Sequence, residues 1–149
     1  MRALLQRVSE ASVEVGGERI AEIGAGLLAL VAAGTGDSDQ DARRLAEKIG
    51  RLRIFADDQG RMNRSVIDVA GSVLCVSQFT LYADVARGNR PGFTGAAPPD
   101  EGRVLVDAVA DQLRLCGLEV QTGRFGAHMR VSLVNDGPVT LLLDSRKQF

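Results

Sequence analysis

Ala11-Ser12-Val13-Glu14-Val15-Gly16-Gly17-Glu18-Arg19-Ile20-Ala21-Glu22-Ile23, followed by Gly24-Ala25-Gly26 and the apolar run Leu27-Leu28-Ala29-Leu30-Val31-Ala32-Ala33, decides the fold class. Apolar and polar residues alternate at its start, which places Val13 and Val15 on one face of a strand. Gly16-Gly17 supply a two-residue hairpin turn, because glycine reaches positive φ without steric penalty. Residues 19–23 return as the partner strand. Residues 27–33 are a short apolar run between Gly26 and Gly34, the pattern of a buried strand. The same stretch also matches the dinucleotide pattern G-x-G-x-x-A, from Gly24 to Ala29. That pattern needs a helix opening on it, and here a strand follows, so it argues for no cofactor.

Working outward, residues 2–8 read as a first strand. Downstream, Gly36-Asp37-Ser38 turns into the clearest helix, with Ala42, Leu45, Ala46, Ile49 and Leu52 at helical spacing. Ser38 or Asp37 caps its free amides, and Asp41, three residues past Ser38, fits a capping box. The opposite face carries Arg43, Arg44, Glu47, Lys48 and Arg51. That is the composition of a solvated face, with a phosphate-tracking patch as the functional alternative. Asp57-Asp58-Gln59-Gly60 is a turn, and residues 73–79 are the most strand-like segment.

Residues 82–100 form a long irregular region containing Gly88, Pro91, Gly92, Gly95, Pro98 and Pro99. Long loops in compact domains are often functional. A second helix spans residues 101–116, with Leu105, Ala108, Val109, Leu113 and Cys116 on one face and Gly117 placed to end it. Residues 118–122, 129–134 and 139–143 complete the strands. Strand runs broken by two helices predict an α+β fold, and 149 residues predict a single domain over 1–149.

Composition narrows the function classes. The 18 Lys+Arg against 19 Asp+Glu give a net charge of -1, unlike a protein that coats nucleic acid non-specifically. Cys75 and Cys116 are too few for a disulfide framework and form no C-x-x-C pair, which points to a reduced, cytoplasmic protein. The longest apolar stretch, residues 25–33, is too short to span a membrane, and the charged start lacks a signal-peptide core. With one histidine, His128, and two separated cysteines, no usual zinc site is expected. Gly34-Thr35-Gly36-Asp37 lacks the lysine of a phosphate loop, and no G-x-S-x-G elbow exists. A Ser-His-Asp triad would have to use His128, for which a structural role is the simpler reading.

Two segments stand out. Ser77-Gln78-Phe79-Thr80-Leu81 places three polar side chains at the end of an apolar strand, where the long loop begins. Asn135-Asp136-Gly137-Pro138-Val139-Thr140 lies between two strands. Alone, the first reads as a strand end facing water and the second as a hairpin turn. With Gln6-Arg7-Val8, Ala11-Ser12-Val13, Leu52-Arg53-Ile54-Phe55, Met62-Asn63, Gly88-Asn89-Arg90-Pro91 and Gly123-Arg124-Phe125-Gly126, in this order and at this length, the chain resembles the D-aminoacyl-tRNA deacylase (D-tyrosyl-tRNA deacylase) family from end to end.

The resemblance implies a small α+β barrel-like domain with two main helices, assembled as a homodimer. It implies hydrolysis of the ester joining a D-amino acid to the tRNA 3′ end, and of glycine mischarged on alanine tRNA. The implied partners are D-aminoacyl-tRNA, glycyl-tRNA and a second copy of the chain, with no cofactor, metal, membrane or DNA. Ser77, Gln78, Phe79 and Thr80 match one wall of the family's catalytic pocket. Gly137 and Pro138 match its Gly-cisPro element, which enters the partner subunit's pocket. A related branch with a trans proline and a different pocket motif acts on L-alanine mischarged on a threonine tRNA; the motifs here favour the D-specific branch. Two departures stand beside the match: Arg103-Val104-Leu105-Val106 where relatives often carry an aromatic residue, and Gly92 between Pro91 and Phe93.

These residues suit that chemistry. All D-aminoacyl esters share only the configuration at Cα, so a rigid main chain screens them better than a side-chain pocket. A cis Gly-Pro bond is cheap among cis peptides, and Gly137 lets the backbone approach closely. The Gly137-Pro138 carbonyls would hold the substrate amine and leave an L side chain no room. No histidine or paired carboxylate accompanies the motif. The implied mechanism is therefore assisted by the terminal 2′-hydroxyl, with main-chain N–H groups near Phe79 and Thr80 stabilising the oxyanion and Ser77 and Gln78 orienting the substrate. The rival mechanism makes Thr80 a nucleophile, for which no adjacent base is visible. Rival functions are an editing deacylase for L or achiral esters, a non-catalytic tRNA-binding module and a dimeric scaffold.

Overall fold

The computed structural model describes residues 1–148. Its first strand, β1 (Arg2–Val15), is continuous where two strands were expected. It runs on through Ser9 and Glu10 because a long partner, β8 (Arg130–Asp144), spans the same length. The other edge of β1 is shared. β3 (Gly26–Ala32) pairs antiparallel with residues 2–8, and β2 (Glu18–Ile23) with residues 11–15, through the Gly16-Gly17 turn.

β6 (Ser72–Ser77) lies parallel to β3, and β7 (Glu119–Thr122) parallel to β6, giving the order β2-β1-β3-β6-β7. Gln121 Oε1 accepts the Glu22 N–H at 3.0 Å, linking the first and last strands of that path. The sheet is thus a nearly closed barrel. A small hairpin of β4 (Phe55–Ala56) and β5 (Met62–Arg64), absent from the sequence expectation, carries the expected turn at its tip.

Strand alternation sorts the core into two layers. Leu27, Ala29, Val31, Val73 and Cys75 face one way and pack under α1 (Asp39–Arg51) and α2 (Pro99–Leu115). Leu28, Leu74 and Val76 face the barrel interior with Val8, Val13 and Ile23. Complete burial of Leu27, Ile49 and Leu113 between sheet and helices contributes about 2 kcal/mol each. On β1 the barrel-facing positions switch from even to odd between Val8 and Ala11, which both face the barrel, because a one-residue bulge near Ser9 reverses the alternation. Thus Ala3 and Leu5 point to the helices while Ala11 and Val13 fill the barrel.

Three boundaries differ from expectation. β6 stops at Ser77 rather than residue 79, since the backbone leaves the extended region at Gln78 (φ -145, ψ 71) and Phe79–Tyr82 form a short 3-10 turn. α2 begins at Pro99, where a missing N–H is harmless. The segment from Asn135 to Thr140 is no hairpin turn: it is a bulge inside the single strand β8. Between Gln6 and Val8 of β1, the facing strand runs from Thr140 to Asn135, so the extra residues loop out. No helix among the described residues is long and apolar enough to cross a membrane.

Candidate active site

β3 and β6 are parallel and in register to their ends, Val31 opposite Ser77. The carboxyl ends of parallel strands leave a crevice where side chains from following loops converge. A cavity of about 630 Å³ opens there. Its walls include Ser77, Gln78, Phe79, Phe93, Pro98 and Phe125. The sequence-predicted wall is therefore largely brought together, with Thr80 just beyond it.

The local chain path explains the placement. The ladder continues one step past β6, since Gln78 N–H donates to the Val31 carbonyl at 2.8 Å. The chain then turns: Leu81 N–H donates to the Gln78 carbonyl and Ala83 N–H to that of Thr80. Phe79 and Thr80 open this turn, so their own N–H groups lack acceptors within it. Phe79 is 57% exposed, high for an aromatic side chain, and its ring meets Phe93 edge-to-face at 5.1 Å. Gln78 Nε2 donates to Thr80 Oγ1. No Asp, Glu, His, Lys or Cys lines the cavity among the described residues.

A charged cluster fixes the rim from behind. Buried Asp37 accepts the Gly34 N–H at 2.6 Å and the Tyr82 hydroxyl at 3.2 Å, and faces the Met1 amine at 2.7 Å and Arg146 at 2.9 Å. Burial, and then the Asp37 charge, push the Tyr82 hydroxyl well above its ordinary value, so it remains a donor. Asp37 thus ties the end of the 3-10 turn to Gly34 and hence to Thr35, which lines the cavity. Gly34 must be small, because a Cβ there would fall 2.6 Å from the Tyr82 ring. In the sequence, Gly36-Asp37-Ser38 reads as a turn and Asp37 as a candidate helix cap. Nothing in its local pattern announces a partner 45 residues away.

Gly137 and Pro138 do not line this cavity within the chain. They sit on the β8 bulge, exposed, with a cis peptide bond between them. The bulge is braced from below. Arg7 Nε donates to the Asp136 carbonyl at 2.9 Å, and Arg7 Nη1 to that of Ile54 at 2.6 Å. Asn135 Nδ2 donates to Gln6 at 2.8 Å and Thr140 at 3.0 Å, while its Oδ1 accepts the Val139 N–H at 3.0 Å. Gly137 has φ +133, and a Cβ there would fall 2.8 Å from Arg7 Nη2 and 2.9 Å from Val139 Cγ2. Only glycine fits that backbone in that space. His128 is exposed in the loop before β8 and is not among the residues that line the cavity. Burial pushes the Cys75 thiol up to about 12, which makes it an inert core side chain.

Comparison with known proteins agrees with this architecture. The family model described as D-Tyr-tRNA(Tyr) deacylase matches residues 4–144. A protein of Roseiflexus sp. (strain RS-1) named D-aminoacyl-tRNA deacylase is 62% identical, over 97% of this chain and 94% of its own length. One of the same name from Heliobacterium modesticaldum (strain ATCC 51547 / Ice1) is 60% identical, over 98% and 97%. Among solved structures, one titled c-Myc DNA Unwinding Element Binding Protein superposes with TM-score 0.91 at 40% identity, covering 97% of this chain and 98% of that one. Another, titled as a probable eukaryotic D-amino acid tRNA deacylase, shares the fold at TM-score 0.80 and 17% identity, covering 95% and 97%.

Proposed function

The chain belongs to the D-Tyr-tRNA(Tyr) deacylase family, and from that premise we propose that it is a cytoplasmic, single-domain hydrolase cleaving the ester of D-aminoacyl-tRNAs and of glycine mischarged on alanine tRNA. The observation that carries the reading is the cavity at the ends of β3 and β6, walled by Ser77, Gln78 and Phe79 and lined by no ionisable acid or base among the described residues. An aminoacyl ester is already activated and brings its own neighbouring 2′-hydroxyl. The protein's part is then to hold the ester and stabilise the developing oxyanion. The Phe79 and Thr80 N–H groups at the start of the 3-10 turn are suited to the oxyanion, and Ser77 and Gln78 to orienting the substrate.

Chirality is screened by main-chain atoms of Gly137 and Pro138 from a second copy. Supporting this are the exposed, braced bulge and its absence from the chain's own cavity. Among the described residues no strand pairs with the edge of β8 away from β1, and Val134 and Leu142 beside the bulge are 50% and 59% exposed. Long edge strands with exposed apolar side chains are sites of pairing. The carbonyls of the bulge take the substrate amine, and an L side chain would collide with them, whereas D residues and glycine fit.

Matched D-tyrosyl-, L-tyrosyl- and glycyl-tRNA test the reading. The D and glycyl esters should be lost rapidly with the L ester spared. Loss of the L ester would remove the chiral screen, and survival of all three would remove the enzyme.

A further inference from the structure

We propose that Arg103 and Arg124, beside residues that line the cavity, and Arg87 and Arg90, on the hairpin that leads into its wall, bind the phosphodiester backbone of the single-stranded RNA end whose ester enters it. The inference rests on the function proposed above and names the surface that holds its substrate.

The first observation is charge pairing. Arg7, Arg19, Arg43, Arg64, Arg114 and Arg146 each face a carboxylate. The four rim arginines are exposed and, among the described residues, form no ion pair. The acids of the same segments are occupied otherwise: Asp84 accepts the Ala86 N–H at 2.9 Å, and Asp100 and Glu101 sit in the first turn of α2, where they complement the helix dipole.

The second observation is position. Arg103 follows Gly102 and Arg124 precedes Phe125, and both neighbours line the cavity. The Arg103 guanidinium lies 5.1 Å from the Phe125 ring centre, which fixes it at that rim. Arg87 and Arg90 lie on a hairpin closed by paired hydrogen bonds between Asp84 and Gly92, at 2.8 and 2.9 Å. That hairpin runs straight into Phe93, whose ring packs on Phe79 in the cavity wall. Each arginine offers a planar fork matched to phosphate oxygens. An aromatic-walled cavity with cations at its mouth is how proteins hold single-stranded nucleic acid. Arg44, Lys48 and Arg51 on α1 likewise form no ion pair among the described residues, but no residue of α1 lines the cavity.

The test uses uncharged tRNA and the full chain, with affinity read by fluorescence anisotropy across a salt series. R87Q/R90Q and R103Q/R124Q should each weaken binding by about tenfold and flatten the slope of log affinity against log salt by about 1.4, as two lost single-strand phosphate contacts require. R44Q/K48Q removes the same charge and should change affinity less than about twofold. A tRNA trimmed of its 3′ single-stranded end should bind the wild type weakly and ignore the rim substitutions. Equal weakening by all three double variants, or no response from the rim pairs, or full rim sensitivity on the trimmed tRNA, would overturn the proposal. The esterase assay is separate: a wild type that binds through these arginines yet cleaves no ester would refute the proposed activity and leave this surface standing.

Discussion

Thr80 Oγ1 accepts from Gln78 Nε2, and among the described residues no carboxylate or imidazole lines the cavity to take its proton. A hydroxyl without a base is a poor nucleophile. Thr80→Ala should therefore keep single-turnover deacylation within about tenfold of wild type, while a D-aminoacyl-tRNA ending in 2′-deoxyadenosine should be cleaved far more slowly. A loss of two or more orders of magnitude in the variant, with normal cleavage of the deoxy substrate, would restore Thr80 as nucleophile. At this scale the sequence was legible where function is written in contiguous residues. Ser77, Gln78 and Phe79 were named and do line the cavity. Phe125 enters only within the family match and Phe93 only beside one of its departures, because a loop aromatic has no period that says which way it faces. The Asp37 cluster was invisible, since its partners Met1, Tyr82 and Arg146 are brought together only by the fold.

Local chemistry sets the elements where it is strong. Ser38 donates both its N–H, at 2.9 Å, and its hydroxyl, at 2.8 Å, to the Asp41 carboxylate at the start of α1. Burial raises that carboxyl, but hydrogen bonds from Ser38 and Ser145 and the N-terminal charge outweigh it, leaving it below the ordinary 3.8. A carboxyl depressed in the folded state stabilises above its unfolded value, and the gain disappears as pH falls through the folded one. Asp41→Ala should lower the unfolding free energy by about 1 kcal/mol near neutrality. The difference should shrink as pH falls below 3.8, read by urea denaturation; a gap that ignores pH would assign the loss to something other than the charge. This helix is readable because its cap and its apolar spacing lie within fifteen residues, from Ser38 to Leu52. Residues 129–143 misled for the opposite reason. Asn, Asp, Gly and Pro in a row are turn chemistry, and only the fifteen residues of β8 paired along β1 hold them as a bulge instead.

For the whole molecule, the cavity and the Gly137-Pro138 bulge are separate features of one chain. The cavity lies beyond the ends of β3 and β6, whereas the bulge faces residues 6–8 of β1, several steps back along the sheet. If both act on one substrate, they meet across two copies in a symmetric pair, each giving its bulge to the other. This has a consequence no single-chain site shares. Gln78→Ala removes a group from the cavity and leaves the bulge intact. Gly137→Val forces a side chain into a φ of +133 against Arg7 and Val139 and leaves the cavity intact. Each homodimer should lose most D-aminoacyl-tRNA hydrolysis. Mixed, unfolded and refolded together, half of the dimers are heterodimers with one site built from an unaltered cavity and an unaltered bulge, so about a quarter of wild-type activity should return. Sedimentation should show the two-chain species in every sample. A mixture no more active than its parents, with the mixed dimer present, would mean that the two motifs serve no common site, and a monomer active at wild-type rates would place the whole reaction within one chain.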